Sequence, residues 1–144
     1  MLNHIPKWLL FAFGSAFFAS LTAIFGKLGV SHINSNLATL IRTVVILLVT
    51  AVIITSRNEW QKVNFSSNYD WIFLVLSGIA TGFSWLCYYR ALQLGPATKV
   101  APIDKLSIAI TILLSAWILK EQLTWSIVLG GGLIVAGSLI IALF

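Results

Sequence analysis

A chain of 144 residues with 59% hydrophobic and only 9% charged residues is far more apolar than a globular domain, in which about a quarter of residues are charged. Its formal charge of +5 comes from nine basic residues dispersed one or two per connection, which excludes the basic patch that a nucleic-acid binder needs. Cys87 is the single cysteine, so neither an internal disulfide nor a cysteine-based metal site can form within one chain, and His4 and His32 lie too far apart in the chain to make a ligand pair.

Five runs are long and apolar enough to cross a bilayer: Lys7–Val30, Asn36–Thr55, Trp71–Leu92, Ala97–Leu119 and Trp125–Phe144. A spanning helix needs roughly 20 such residues at ~1.5 Å rise each. Short turns and one polar loop, Ser56–Asp70, make up the rest. The expected fold class is all-α: a polytopic membrane protein, one bundle of five transmembrane helices over residues 1–144, multi-pass in the cell (inner or plasma) membrane, with no room for a soluble domain. The first run is no signal peptide, because it is too long for an h-region, closes on Lys27 and is followed by four more.

In lipid, apolar faces carry little information, and the small and polar stripes carry most. On the first span, Ala16, Ser20, Ala23 and Lys27 follow helical spacing beside Ser15, Ala19, Thr22 and Gly26, opposite a bulky Phe and Leu face. Close helix packing explains the small residues. Lys27 either joins a cavity or snorkels to the headgroups. The second span opens on Asn34-Ser35-Asn36, good N-cap residues, and sets Arg42 two turns in, flanked by Thr39 and Thr43. An Arg at that depth costs a few kcal/mol on insertion scales, so it should face the bundle or a wet cavity, unless it snorkels.

The third span joins a Gly78/Gly82 groove, running on to Trp85 and Tyr89, with a row of Ser77, Thr81, Ser84 and Tyr88. These form a cavity wall, or else a packing motif capped by interfacial aromatics. The fourth span begins after Gly95-Pro96, carries Pro102 early enough to be tolerated or to kink it, and then places Asp104-Lys105. A continuous helix would put Ala101, Ser107, Thr111 and Ser115 on the Asp104 face and turn Lys105 about 100° away, so the two are not an automatic ion pair. An intramembrane carboxylate is either a substrate or proton site, or a structural partner for a base such as Arg42 or Lys27. The fifth span is uncharged; Gly130 and Gly137 share a face that reads as a packing or dimer surface.

Orientation is weakly specified. Lys7, Arg57, Lys62 and Lys120 lie on one side, against Lys27, Arg90 and Lys99 on the other. A bias of one charge permits an N-in topology or dual insertion as an antiparallel homodimer.

The stretch Tyr88-Tyr89-Arg90-Ala91-Leu92-Gln93-Leu94-Gly95-Pro96-Ala97 resembles the junction of the third and fourth helices in EamA domains of the drug/metabolite transporter superfamily. Leu119-Lys120-Glu121-Gln122-Leu123-Thr124 resembles their usual end of helix four, and Lys27, Arg42 and Leu133-Ile134-Val135-Ala136-Gly137 match further positions. Members usually carry two inverted five-helix halves, and this chain has one. The resemblance therefore implies a secondary transporter, mostly efflux of small metabolites, completed by a second copy or a sister half-size chain. The small multidrug exporters of the superfamily use a carboxylate in helix one; this chain has none there, which leaves Asp104 as the intramembrane acid.

Substrate-binding or coupling residues are accordingly expected among Asp104, Arg42, Lys27, Lys105, Trp85, Tyr88, Tyr89, Ser84, Ser107 and Thr111, with no catalytic residue, cofactor or metal. The surplus of bases favours an anionic or zwitterionic solute such as an amino acid. Trp85, Tyr88, Tyr89 and Asp104 would instead suit a quaternary ammonium cation. A flippase for a lipid-linked sugar or phosphate and a non-transporting assembly subunit are the alternatives of other kinds. An intramembrane enzyme would need a partner for Asp104 or Cys87 that the sequence does not place nearby.

Overall fold

The computed structural model describes residues 6–61 and 68–144. His4, Lys62 and much of the polar loop lie outside the described residues. Six helices follow in order: α1 Lys7–Gly29, α2 Ser35–Ser56, α3 Asn68–Leu94, α4 Ala97–Asp104, α5 Ser107–Ile118 and α6 Trp125–Leu143. α4 and α5 together form one stretch, so five segments are long and apolar enough to span a membrane. Large apolar side chains point outward along all of them, with Phe11 78%, Leu47 68% and Leu133 73% exposed. Such a surface is stable only where acyl chains solvate it, so the protein is an integral, multi-pass membrane protein.

The fold divides into two compact units, Leu28–Gln93 in one and the residues up to Lys27 with Leu94–Phe144 in the other. The first holds α2, α3 and the connection that enters α2. Asn34 caps α2 as its residue type predicts, its side-chain oxygen accepting from the Asn36 N–H at 2.9 Å. Val30 and Leu92 are fully buried beneath the connection. Gln93 clasps that connection by donating to the Val30 carbonyl at 3.0 Å and the Ile33 carbonyl at 2.7 Å, while its own oxygen accepts from Arg90 at 3.0 Å. Donors and acceptor of one side chain are thus all used to hold a turn in place.

In the second unit α6 packs on both α4 and α5. Gly131 is buried there, and a Cβ at its position would sit 2.7 Å from the Ile112 Cδ1, so the glycine gives that terminal methyl its room. Lys27 donates to the Gly95 carbonyl at 2.8 Å, tying the end of α1 to the turn before α4. Its ammonium thus has a backbone acceptor within the protein.

The fourth span departs from a regular helix. It is not one uninterrupted helix: Lys105 and Leu106 form a turn held by i→i+3 bonds, Lys105 N–H to the Pro102 carbonyl and Leu106 N–H to the Ile103 carbonyl, each 3.0 Å. Pro102 has no N–H for the Thr98 carbonyl and crowds it, which weakens the ladder and lets the following turn tighten. The phase between Asp104 and the row Ser107, Thr111 and Ser115 is therefore broken. The same turn brings the Lys105 ammonium to 3.5 Å from the Asp104 carboxylate, a half-exposed pair that regular helical geometry would have kept apart. A Cβ at Gly78, Gly82, Gly130 or Gly137 would meet nothing within 4 Å.

Candidate functional site

A cavity lined by Arg42 lies between α2 and α3 and measures about 490 Å³. α3 contributes Leu74, Ser77, Gly78, Thr81, Gly82 and Trp85, and α2 contributes Thr39, Arg42, Thr43 and Ile46. The α3 set repeats at three- and four-residue steps, so one continuous helix stripe makes the wall. Gly78 and Gly82 have no side chain to fill the space. The groove, which from the sequence is either a cavity wall or a packing motif, lines this cavity.

Arg42 is the focus. Its Cζ lies 3.2 Å from the centroid of the Trp85 ring and 6.0 Å from that of Tyr89. The guanidinium carbon lies over the indole ring, where the ring quadrupole attracts the cation. Trp85 is in turn held edge-on by Tyr88 at 5.5 Å and Tyr89 at 5.8 Å. Tyr89 is buried, so the aromatic cluster has a fixed base. A cation–π contact uses none of the five guanidinium N–H donors as a conventional hydrogen bond.

The hydroxyls around it are also oriented. Thr39 donates to the Ser35 carbonyl at 2.9 Å, Thr43 to the Thr39 carbonyl at 2.8 Å, and Thr81 to the Ser77 carbonyl at 2.8 Å. Each is the usual bond of a helical threonine to the carbonyl four residues back.

Of the residues expected to bind or couple, Arg42, Trp85 and Tyr89 come together here, with Tyr88 behind Trp85. Ser84 is exposed on α3 and does not line the cavity. Lys27, Asp104, Lys105, Ser107 and Thr111 belong to the other unit. There Asp104 ends α4, Lys105 forms the turn, and Ser107 begins α5 with Thr111 one turn on. Thr39, Thr43, Ser77 and Thr81 line the cavity but were absent from the expected site; they lay on the stripes of Arg42 and of the Gly78/Gly82 groove, which was signal enough to find them. A further cavity of about 520 Å³ between α5 and α6 is walled by aliphatics and glycines and carries no charged group. Among the described residues, no group of His, Cys, Asp or Glu could hold a metal ion.

Membrane-spanning helices that gather an arginine and a band of hydroxyls on one cavity define a membrane protein with a polar site within its spanning segments. The sequence profile of the EamA-like transporter family matches residues 6–143, and the chain belongs to that family. A protein of Sinorhizobium sp. named as an uncharacterized transporter in the cobO 3′ region is 51% identical over 138 residues, 96% of this chain and 98% of that protein. No solved structure matches significantly. The protein is thus a transporter, as its helix-junction motifs implied.

Proposed function

We propose that the protein is a secondary transporter, most simply an exporter, of a small anionic or zwitterionic metabolite, and that Arg42 receives the solute's oxyanion in the cavity between α2 and α3. The observation that carries this reading is the Arg42 guanidinium stacked on Trp85 at the wall of that cavity. A cation held over a ring, whose donors make no hydrogen bond among the described residues, suits a carboxylate or another planar oxyanion. The same contact weighs against a quaternary ammonium solute, because the Trp85 face it would need is already covered by a cation. Neither family nor geometry calls for chemistry on the solute, and the function is transport rather than catalysis.

Asp104 is proposed as the coupling acid: it sits at the break between α4 and α5, where a carboxylate can change partners as the turn flexes. Two copies, or this chain and a sister, are proposed to form an inverted pair. The near-balance of loop charges supports it, and so do the tryptophans. Trp8, Trp60, Trp71, Trp117 and Trp125 are all exposed, at or next to span ends that the alternation of spans puts on one membrane face. Interfacial tryptophans normally anchor both faces, and an inverted pair would supply both from one sequence.

The test is uptake into proteoliposomes. Arg42→Gln should abolish carboxylate-solute transport while leaving the melting temperature of the protein nearly unchanged. Transport that survives Arg42→Gln would sink the assignment of Arg42.

A further inference from the structure

We propose that the groove between α5 and α6 seats one acyl chain of a membrane phospholipid whose headgroup carries a primary ammonium, with the phosphate at Lys120 and the ammonium at Glu121. The groove is lined by aliphatic residues and glycine, and follows α6 from Ile127 to Leu139 at three- and four-residue steps. At ~1.5 Å per residue that stripe is about 18 Å long, close to one leaflet of a hydrocarbon core about 30 Å thick. Spread over that length, the cavity of about 520 Å³ is a slot roughly 6 Å across. A helix with its side chains measures about 10–12 Å and could only lie over such a slot, whereas a polymethylene chain enters it. Gly132 keeps part of the wall open, since a Cβ there would meet nothing within 4 Å.

Charges stand where a headgroup would lie. Leu123, in the connection between α5 and α6, lines one end of the slot. Lys120 and Glu121 come just before it, both exposed and in no ion pair among the described residues. Trp117 and Trp125 flank the connection and are exposed, as rings at headgroup depth are. Lys120 has φ 56°, a left-handed conformation for which glycine is the usual residue at a helix end. Its turn returns the Leu119 and Glu121 N–H groups to the Ser115 carbonyl at 3.0 and 3.3 Å. Glycine would make that turn without strain, so what lysine adds is its ammonium. An acyl chain is already out of water in the bilayer, so selection rests on fit and headgroup rather than on hydrophobicity. A phosphate satisfies Lys120, and a primary ammonium brings three N–H donors to Glu121. A trimethylammonium headgroup has no such donor, and a glycerol headgroup leaves the carboxylate without a cation.

The test is native mass spectrometry of the full chain, delipidated in detergent and titrated with phosphatidylethanolamine, phosphatidylcholine or phosphatidylglycerol of matched acyl chains. A first phosphatidylethanolamine should bind the wild type ~5-fold tighter than either of the others, the ratio that one charge contact at a membrane surface supplies. Lys120→Gly, which keeps the turn, should lose ~5-fold in that affinity, and Glu121→Gln should bring phosphatidylethanolamine level with phosphatidylcholine. Lysophosphatidylethanolamine, with one acyl chain, should compete; glycerophosphoethanolamine, with none, should not. Gly132→Leu, which fills the slot, should abolish the preference. Equal affinities of the three lipids for the wild type, or competition by glycerophosphoethanolamine, overturns the proposal. So does a Gly132→Leu variant that keeps the lipid preference but separates copies of the chain, because the groove is then an interface between copies. If that variant does not fold, the wild-type lipid ratios and the competition decide alone.

Discussion

Arg42 illustrates how one side chain is fixed by its neighbours. In a bilayer a lone arginine reaches for the nearest headgroups, and here its guanidinium lies 3.2 Å over Trp85. If that stack is what orients the donors, Trp85→Leu should weaken solute binding several-fold, in line with the roughly 0.5–2 kcal/mol of a cation–π contact, without changing which solutes bind. Arg42→Lys should weaken it more, because an ammonium neither stacks flat nor presents a fork of donors. Equal affinities for the wild type and Trp85→Leu, measured by titration, would show that the stack is incidental. A different residue carries backbone strain: Lys120, just past the end of α5, has φ 56°, a left-handed conformation that side chains with a Cβ resist. Lys120→Gly is expected to stabilise the protein by about 0.5–1 kcal/mol, read as a higher melting temperature. An unchanged or lower value would mean that the lysine side chain compensates for the strain.

The helices differ in how far their sequences foretold them. α1, α2, α3 and α6 start and stop within a few residues of the expected spans, since length and hydropathy dominate and Asn34 marks a start. The fourth was legible only in part. Pro102 announced a weak point, yet the turn lies three residues further on, where the i→i+3 bonds of Lys105 and Leu106 could form. Pro102→Ala restores an N–H for the Thr98 carbonyl and removes a helix-interior proline worth about 3 kcal/mol against alanine. The variant should melt higher and transport more slowly if the break flexes during the cycle; faster or unchanged turnover would assign the break a purely structural part. In α6 the helix pattern showed a run of three glycines without saying which one matters. Contact with Ile112 singles out Gly131. Gly131→Ala should therefore lower the melting temperature more than Gly132→Ala, and Ile112→Val, which deletes the colliding Cδ1, should relieve the difference. A double-mutant cycle with no coupling would show that Ile112 simply swings aside.

For the protein as a whole, the prediction that matters is the inverted pair. Reporters active on opposite sides of the membrane, fused in turn to the C-terminus, should both give signal from one expressed sequence; a silent reporter would rule out dual insertion. Adding two lysines to the loop near Arg57 should drive one orientation, because loop lysine and arginine set topology, and should reduce transport in a strain that carries no oppositely oriented copy. Membrane residence, five spans and membership of a transporter family were determined by the sequence alone, since apolar length and helix-junction motifs are properties of consecutive residues and survive without any knowledge of neighbours. The charged cavity was not. Arg42 and Trp85 stand 43 positions apart in the chain, and only packing brings a cation onto a ring face. The pairing of Asp104 with Lys105 and the choice of Gly131 over its neighbours were likewise decided in three dimensions, where the path of the backbone, rather than the periodicity of an ideal helix, determines which atoms meet.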